Sequence, residues 1–227
     1  MTMKISKKTI SILDNFAKIN QGIVFEGGQT LKSMAVMRNI IAEAEVDEDF
    51  PEFAIYNLPE FLSVLGIFKE PLLDFKDRQV VVSDASGTGR VKYFFSDPSV
   101  IVTPKKAIKE PEYEINFTVE SSVFADVIKG TSILRLPDIV LVKDETGDVS
   151  FGAKDLKNPA CNSFLVGVNL DNVVDETFEM AFRSESINKI LPGSYKVSVS
   201  SKRLSKWVSL DTNLTYFISL ETTTKFG

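Results

Sequence analysis

Both halves of the chain present the same order of predicted elements, and any fold proposed for it has to contain that repeat. In each half a short apolar strand leads into an amphipathic helix, and the strands that follow are interrupted by a second short helix. The predicted helices span residues 7–19 and 58–68 in the first half and 121–129 and 185–191 in the second. This repeat predicts an α+β chain of two similar domains, each with two helices packed on antiparallel sheets.

The segment between the halves has the composition of a connector. Residues 97–114 contain three prolines and several lysines without a strand or helix pattern, which is typical of an extended linker. We therefore predict an N-terminal domain at residues 1–102, a connector at 103–112 and a C-terminal domain at 113–227. A chain of 227 residues is long enough for each domain to bury a hydrophobic core.

Apolar residues at helical spacing predict which side of the first helix is buried. Ile10, Leu13, Phe16 and Ala17 fall at positions i, i+3, i+6 and i+7, as expected for a helix that packs on a sheet. The polar side is then predicted to carry Lys7, Ser11, Asp14, Asn15 and Lys18.

Two segments are predicted to form β-hairpins because of their turn residues. Gly27-Gly28 divides the segment 23–34, and glycine readily takes the positive φ values of a tight two-residue turn. Thr146-Gly147 lies in a charged turn between two apolar stretches of the segment 139–153.

The residue types that usually carry catalysis or bind metals are scarce. The chain has no histidine, which excludes histidine-based triads and most zinc sites, and its single cysteine, Cys161, cannot form an internal disulfide. The segment 86–90 (SGTGR) lacks the ending of a phosphate-binding loop and is interpreted as a hairpin turn, and 143–148 (KDETGD) as an exposed turn rather than a metal site. We expect a protein without catalysis or cofactor, in the cytoplasm, because no apolar run approaches the roughly 18 residues of a membrane span.

The charges are unevenly distributed along the chain. A net charge of −5 argues against a nucleic-acid binder, because phosphate contacts supply most of the non-specific affinity. Basic residues nevertheless concentrate at positions 4–8, 105–109 and 202–206, whereas acidic residues concentrate at 43–52 and 171–179. The sequence therefore predicts two differently charged surfaces.

Four segments together resemble the sliding clamps of T-even-type bacteriophages, which are the processivity factors of their DNA polymerases. They are KISKKTISILDNFAKINQGI (4–23), AIYNLPEFLSVL (54–65), SDPSVIVTPKK (96–106) and INKILPGSYKV (187–197). The resemblance implies a homotrimer of six domains in a ring, with the helices lining a hole for duplex DNA. It also implies contacts with the replicative polymerase, an ATP-dependent clamp loader and a late-transcription factor in the cytoplasm of the infected bacterial host.

The resemblance also implies which residues contact these partners. Residues predicted to face DNA are Lys7, Lys8 and Lys18 on the first helix, Lys129 on the third and Lys189 on the fourth. On the sequence alone, solvated helix faces explain these lysines better. The resemblance reverses this preference for Lys7, Lys18 and Lys129, and does so less for Lys8 and Lys189. The partner pocket is predicted at Ile101, Val102, Ile108, Phe217 and Ile218, although the same residues would also fill a domain junction. The aromatic strand 92–95 is a candidate for the subunit boundary.

Two other functions are compatible with the same residues. A viral structural or assembly protein would use the duplicated sheets for oligomerisation alone. An enzyme that relies on carboxylates is a more distant alternative, because no cluster of acidic residues resembles a catalytic pair.

Overall fold

The computed structural model describes residues 1–86, 88–158 and 160–227. These residues form two compact units, Met1–Ala107 and Ile108–Gly227, and the division between them falls inside the predicted connector. Each unit contains two helices and antiparallel strands, as expected for the predicted α+β class. Within the described ranges, every helix is too short or too polar to cross a membrane.

The described part of the first unit contains six strands and two helices. Four strands form a sheet in the order β1-β4-β5-β6, and β2 pairs with β3. The elements are β1 (Thr2–Lys4), α1 (Lys7–Ile19), β2 (Ile23–Met34), β3 (Ile40–Ile55), α2 (Leu58–Gly66), β4 (Leu72–Phe75), β5 (Gln79–Ser83) and β6 (Arg90–Phe94).

The second unit contains nine strands and two helices among its described residues. One sheet has the order β10-β9-β8-β11-β15, and four further strands pair in the order β14-β13-β12-β7. The elements are β7 (Ile115–Val119), α3 (Ser121–Leu134), β8 (Asp138–Lys143), β9 (Val149–Lys154), β10 (Phe164–Gly167), β11 (Phe178–Arg183), α4 (Ser184–Ile187), β12 (Tyr195–Ser200), β13 (Leu204–Ser209), β14 (Leu214–Ser219) and β15 (Lys225–Phe226).

The predicted hairpin turn at Gly27-Gly28 is wrong, because both glycines lie inside the continuous strand β2. Their φ angles of 85° and 81° accompany a shift in the register between β2 and β3. From Gly28 to Thr30 the strand β2 advances by two residues, whereas its partner runs from Phe50 to Glu45. The two glycines therefore belong to a β-bulge and do not form a hairpin turn.

The reversal between β2 and β3 occurs at residues 35–39. The amide of Ala35 donates to the carbonyl of Ile40 at 2.9 Å, and the amide of Arg38 donates to the carbonyl of Ala35 at 2.8 Å. Arg38 takes the left-handed conformation, with a φ of 58°. The prediction missed this turn because it contains no glycine or proline to mark it.

The buried side of α1 differs from the predicted one. Ile12 and Ile19 are buried, whereas Ile10 is only half-buried, and Asn15 is buried although it was predicted on the polar side. The i, i+4, i+7 spacing of Ile12, Phe16 and Ile19 therefore marks the packed stripe better than the predicted set did. The buried residues of the helix are Thr9, Ile12, Leu13, Asn15, Phe16 and Ile19.

The bounds of α1 agree with the prediction, but those of the other three helices differ. The helix α2 ends at Gly66, two residues before the predicted end, and α3 continues to Leu134. Gly130 does not end α3. A Cβ atom at this position would lie 2.8 Å from Cγ of Phe164, so glycine is needed there for close packing.

The fourth helix contains only four residues, Ser184–Ile187, instead of the predicted span 185–191. After it, the amide of Lys189 donates to the carbonyl of Ser186, and that of Ile190 to the carbonyl of Ile187, each at 3.2 Å. These bonds span three residues and tighten the chain into 3₁₀-type turns. Lys189 therefore lies outside the helix on which it was predicted.

The hairpins predicted around the charged turn at Thr146-Gly147 and around the segment 86–90 are present. The strands β8 and β9 pair on either side of residues 144–148, and β5 pairs with β6 around the segment 86–90. Gly87, within that second turn, lies outside the described residues.

An aromatic cluster around Trp207 holds α3 against the strands of the second unit. The Trp207 ring is buried and lies 6.4 Å from the ring of Phe124 on α3 and 5.7 Å from that of Phe182 on β11. Its indole nitrogen donates to the hydroxyl of Ser205 at 2.9 Å. Because Phe124 faces this cluster, the opposite side of α3 is left exposed.

Candidate functional site

The start of α1 is fixed by a carboxylate from β3. The Ser6 hydroxyl accepts a hydrogen bond from the amide of Thr9 at 3.1 Å and caps the helix. Glu48 accepts a hydrogen bond from the Ser6 amide and another from the Thr9 hydroxyl, each at 2.5 Å. Lys7 and Lys8 follow the cap directly, so these bonds position both lysines.

The electrostatics of Glu48 keep its carboxylate charged. Burial opposes its ionisation, but the hydrogen bonds from the Thr9 hydroxyl and the Ser6 amide outweigh this effect and lower the pKa below its usual value. A negative charge at the start of a helix is also favourable, because the unpaired amides there carry a partial positive charge.

The exposed side of α1 carries three of the predicted lysines. Lys7, Lys8 and Lys18 are exposed, and the Lys18 amine lies 3.5 Å from the carboxylate of Asp14. Both side chains of this i, i+4 pair are more than half exposed, so the pair is weak and does not hold Lys18 away from an approaching anion.

The other helices contribute less positive charge. Lys129 is exposed on α3, one turn after the exposed Asp126. Lys189 is half-buried and its amine lies 3.6 Å from the carboxylate of Glu185. The helix α2 has no basic residue, and Lys69 follows its end.

Two residues of the predicted partner pocket lie in the first unit. Ile101 is buried against Gly22, where an added Cβ atom would lie 3.1 Å from an Ile101 side-chain carbon. Val102 is half-buried, and its carbonyl accepts a hydrogen bond from the Asn20 side chain at 3.0 Å. The same Asn20 amide donates to the carbonyl of Met34 at 2.8 Å. Asn20 therefore joins the residue just before the predicted connector to the end of β2.

The remaining three predicted pocket residues lie in the second unit. Ile218 is fully buried and Phe217 is 6% exposed, whereas Ile108 is half-buried. The Lys206 amine lies 5.5 Å from the centre of the Phe217 ring and pairs with Glu110 at 2.8 Å. Phe217 thus packs beneath a cation.

The turn between β2 and β3 exposes an apolar pair that was not among the predicted site residues. Val36 is 68% exposed and Met37 is 85% exposed. They follow Met34 and Ala35 in sequence, and the carbonyl of Met34 accepts a hydrogen bond from the same Asn20 side chain that binds the Val102 carbonyl. Two consecutive apolar residues in a turn could have indicated this exposed pair.

Two edge strands carry exposed apolar side chains. The strand β6, which overlaps the predicted boundary strand 92–95, is at the edge of its sheet and exposes Phe94. In the second unit β10 is also an edge and exposes Leu165. Unpaired backbone groups along such edges can pair with a strand of another chain.

The charged turn at residues 144–148 is held by its own hydrogen bonds. The Asp144 carboxylate accepts hydrogen bonds from the amides of Thr146 and Asp148, at 3.0 and 3.1 Å. Among the residues with described structure, no group of three acidic, cysteine or histidine side chains is placed to bind a metal ion.

Comparison with known proteins gives relatives over nearly the whole length. The chain is 33% identical over 224 residues to the "Sliding clamp" of Vibrio phage KVP40, and the match covers 96% of this chain and 99% of that protein. It is 28% identical over 205 residues to the "Sliding clamp" of Enterobacteria phage T4, with 88% of each chain covered. It is also 26% identical over 226 residues to the protein of that name from Escherichia phage RB69, covering 96% and 97%.

Solved structures show the same fold. Proliferating cellular nuclear antigen from Entamoeba histolytica superposes with a TM-score of 0.73 at 15% identity, covering 97% of this chain and 98% of that one. The PCNA2–PCNA3 complex from Sulfolobus tokodaii gives a TM-score of 0.68 at 13% identity, covering 97% and 99%. No protein-family model matches the chain. The predicted fold class is confirmed by these two structures.

Proposed function

Because the chain belongs to the bacteriophage sliding-clamp family, we propose that it forms a ring around duplex DNA and tethers the replicative DNA polymerase to its template. The observation that supports this most directly is the exposed side of α1, where Lys7 and Lys18 stand opposite a buried apolar stripe, and Lys8 is exposed in the first turn.

The small number of lysines suits a protein that must move along DNA. Each phosphate neutralised by a lysine adds roughly −0.9 to the slope of log K against log salt, so many tight contacts would hold the protein in place. We propose that Lys7, Lys18 and Lys129 make weak contacts with phosphates, independent of sequence. Lys8 and Lys189 have smaller roles in this proposal, and the ion pair with Glu185 makes Lys189 the weakest candidate.

We further propose that three copies close the ring through their sheet edges. An exposed edge in the first unit, β6, and another in the second, β10, provide the two different surfaces that head-to-tail assembly requires. Phe94 and Leu165 would become buried when β6 of one copy meets β10 of the next.

Partner proteins are proposed to dock through short hydrophobic tails. In the first unit the surface for them comprises Val36, Met37 and Val102. The contributions predicted from Ile101, Ile108, Phe217 and Ile218 remain predictions. The tail of the polymerase is the proposed occupant, and the clamp loader and a late-transcription factor would use the same surface in turn.

In this proposal the protein catalyses no reaction and acts in the cytoplasm of the infected bacterium. It keeps the polymerase on its template because a closed ring stays on DNA without a high affinity for it. This property separates a clamp from a viral structural protein that only oligomerises.

The experiment that tests the proposal is primer extension on a primed circular template with the cognate polymerase, loader and ATP. The chain should lengthen the products, and loaded protein should be lost when the duplex circle is cut once. Retention that is the same on circular DNA and on linear DNA with free ends would contradict encirclement, and products of unchanged length would contradict polymerase tethering.

A further inference from the structure

A groove of ≈530 Å³ lies beside the start of α1 in the first unit, and none of the residues proposed to bind partner tails lines it. Its volume is within the range of roughly 300–1,000 Å³ that is typical of ligand sites. The apolar lining consists of Ile5, Ile10, Leu62, Leu65, Phe68 and Pro71.

Lysines surround this apolar lining. Lys4, Lys7 and Lys69 line the groove and are all exposed. Lys4 pairs with Glu70 at 3.5 Å, but each side chain is 70% exposed, so the pair is weak and can exchange for another carboxylate.

Two acidic residues, Glu48 and Glu70, also line the groove, but the three lysines leave it with an excess of one positive charge. Glu48 lines the groove, yet both of its oxygens already accept hydrogen bonds, one from the Ser6 amide and one from the Thr9 hydroxyl. Its charge also lies at the start of α1, where the helix dipole compensates it. The groove therefore offers an apolar interior and a rim that attracts carboxylates.

We propose that this groove binds an acidic and hydrophobic peptide segment of a partner protein. An apolar side chain of the segment lies against Ile10, Leu62 and Phe68, and flanking carboxylates contact Lys7 and Lys69. A DNA backbone fits the rim less well, because it has no apolar group to fill the interior. A peptide bound here neutralises Lys7, so it also weakens the DNA contacts proposed for α1.

The first test measures binding of short labelled peptides to the full chain by fluorescence anisotropy at low salt. The probe is Glu-Asp-Leu-Phe-Glu, and the matched peptides are Lys-Lys-Leu-Phe-Lys and Glu-Asp-Ser-Ser-Glu. Loss of either the charge or the apolar pair should weaken binding about fivefold or more. Equal binding of the three peptides, or no binding of the first, would overturn the proposal.

The second test locates the peptide with variants. Lys69→Glu should weaken binding of the acidic peptide and strengthen binding of the basic one, a reversal that a folding defect cannot produce. Leu62→Glu should weaken binding of the acidic peptide, whereas Val173→Glu, which alters an apolar residue 89% exposed in the second unit, should not. If Met37→Glu abolishes binding and both groove variants retain it, the peptide occupies the turn instead and the proposal fails.

Discussion

The carboxylate of Glu48 accepts a hydrogen bond from the Thr9 hydroxyl at 2.5 Å and thereby joins β3 to the first turn of α1. Both residues are buried, with Glu48 8% exposed and Thr9 1% exposed. This pair fixes the helix start from which Lys7 and Lys8 extend.

Replacing Glu48 with glutamine should lower the free energy of unfolding by about 1–3 kcal/mol, because a charged acceptor of two hydrogen bonds is lost from a buried position. Urea unfolding measures the change. Glu45→Gln is the matched control, since Glu45 is exposed on the same strand and should change stability by less than about 0.5 kcal/mol. Equal effects of the two substitutions would show that Glu48 does not anchor the helix.

The lowered pKa of Glu48 predicts a stability change in acid. The folded state holds its carboxyl below the usual value of 4.5, so the unfolded state takes up the proton first as the pH falls. The stabilisation is present above 4.5 and is lost as the pH falls through the folded pKa. Unfolding measured from neutral pH into this window should show a smaller loss for Glu48→Gln than for the native chain, and parallel curves would contradict the assignment.

Changing Lys7, Lys18 and Lys129 together to alanine should weaken loading and retention on DNA while the oligomer stays intact by sedimentation. The slope of log retention against log salt should become shallower by roughly 0.9 for each phosphate that is no longer neutralised. The control changes Lys76, Lys157 and Lys202, which are exposed and lie outside the helices, so both triple variants lose the same charge. Unchanged loading by the first variant would mean that its lysines are only solvated.

A charge placed on either exposed edge should separate the subunits. Phe94→Asp or Leu165→Asp would bury a carboxylate between strands, and native mass measurement should then report single chains instead of the expected three copies. Val173→Asp, on a loop, should leave the assembly unchanged. Three copies in both edge variants would rule out these strands as the boundary.

Gly130→Ala should destabilise the second unit although alanine is the better helix former. The new Cβ atom would lie 2.8 Å from the ring of Phe164 on β10, and relieving that overlap should cost about 1–3 kcal/mol. Gly66→Ala meets no atom within 4 Å at the end of α2 and should be neutral or slightly stabilising in thermal unfolding. If Gly130→Ala left the stability unchanged, the Phe164 side chain would be able to move aside without a cost in free energy.

The sequence predicted correctly those features of the fold that depend on residues close together in the chain. The bounds of α1 depend on neighbours in sequence, including the Ser6 side chain that accepts a hydrogen bond from the Thr9 amide. Gly130 could not be interpreted in this way, because its reason lies on β10, more than thirty residues later. Asn15 was assigned to the polar side by its chemistry, yet the packing of α1 buries it.

The candidate site shows the same limit. The exposed lysines of α1 follow from helical spacing, whereas the exposed turn at Val36 and Met37 required the true position of the chain reversal. Glu48 could have been noticed, because it interrupts the apolar inward positions of β3 that include Val46 and Phe50.

The unequal lengths of β2 and β3 between their paired residues connect the irregularity of this strand pair to the start of α1. Glu48 belongs to the surplus stretch of β3, between the residues that pair with Gly28 and Thr30. A deletion that made the ladder regular would also remove the anchor of α1 and alter how its lysines are presented. Changes in length here should therefore be tolerated only together with a new cap for the helix, unlike insertions in an ordinary surface loop.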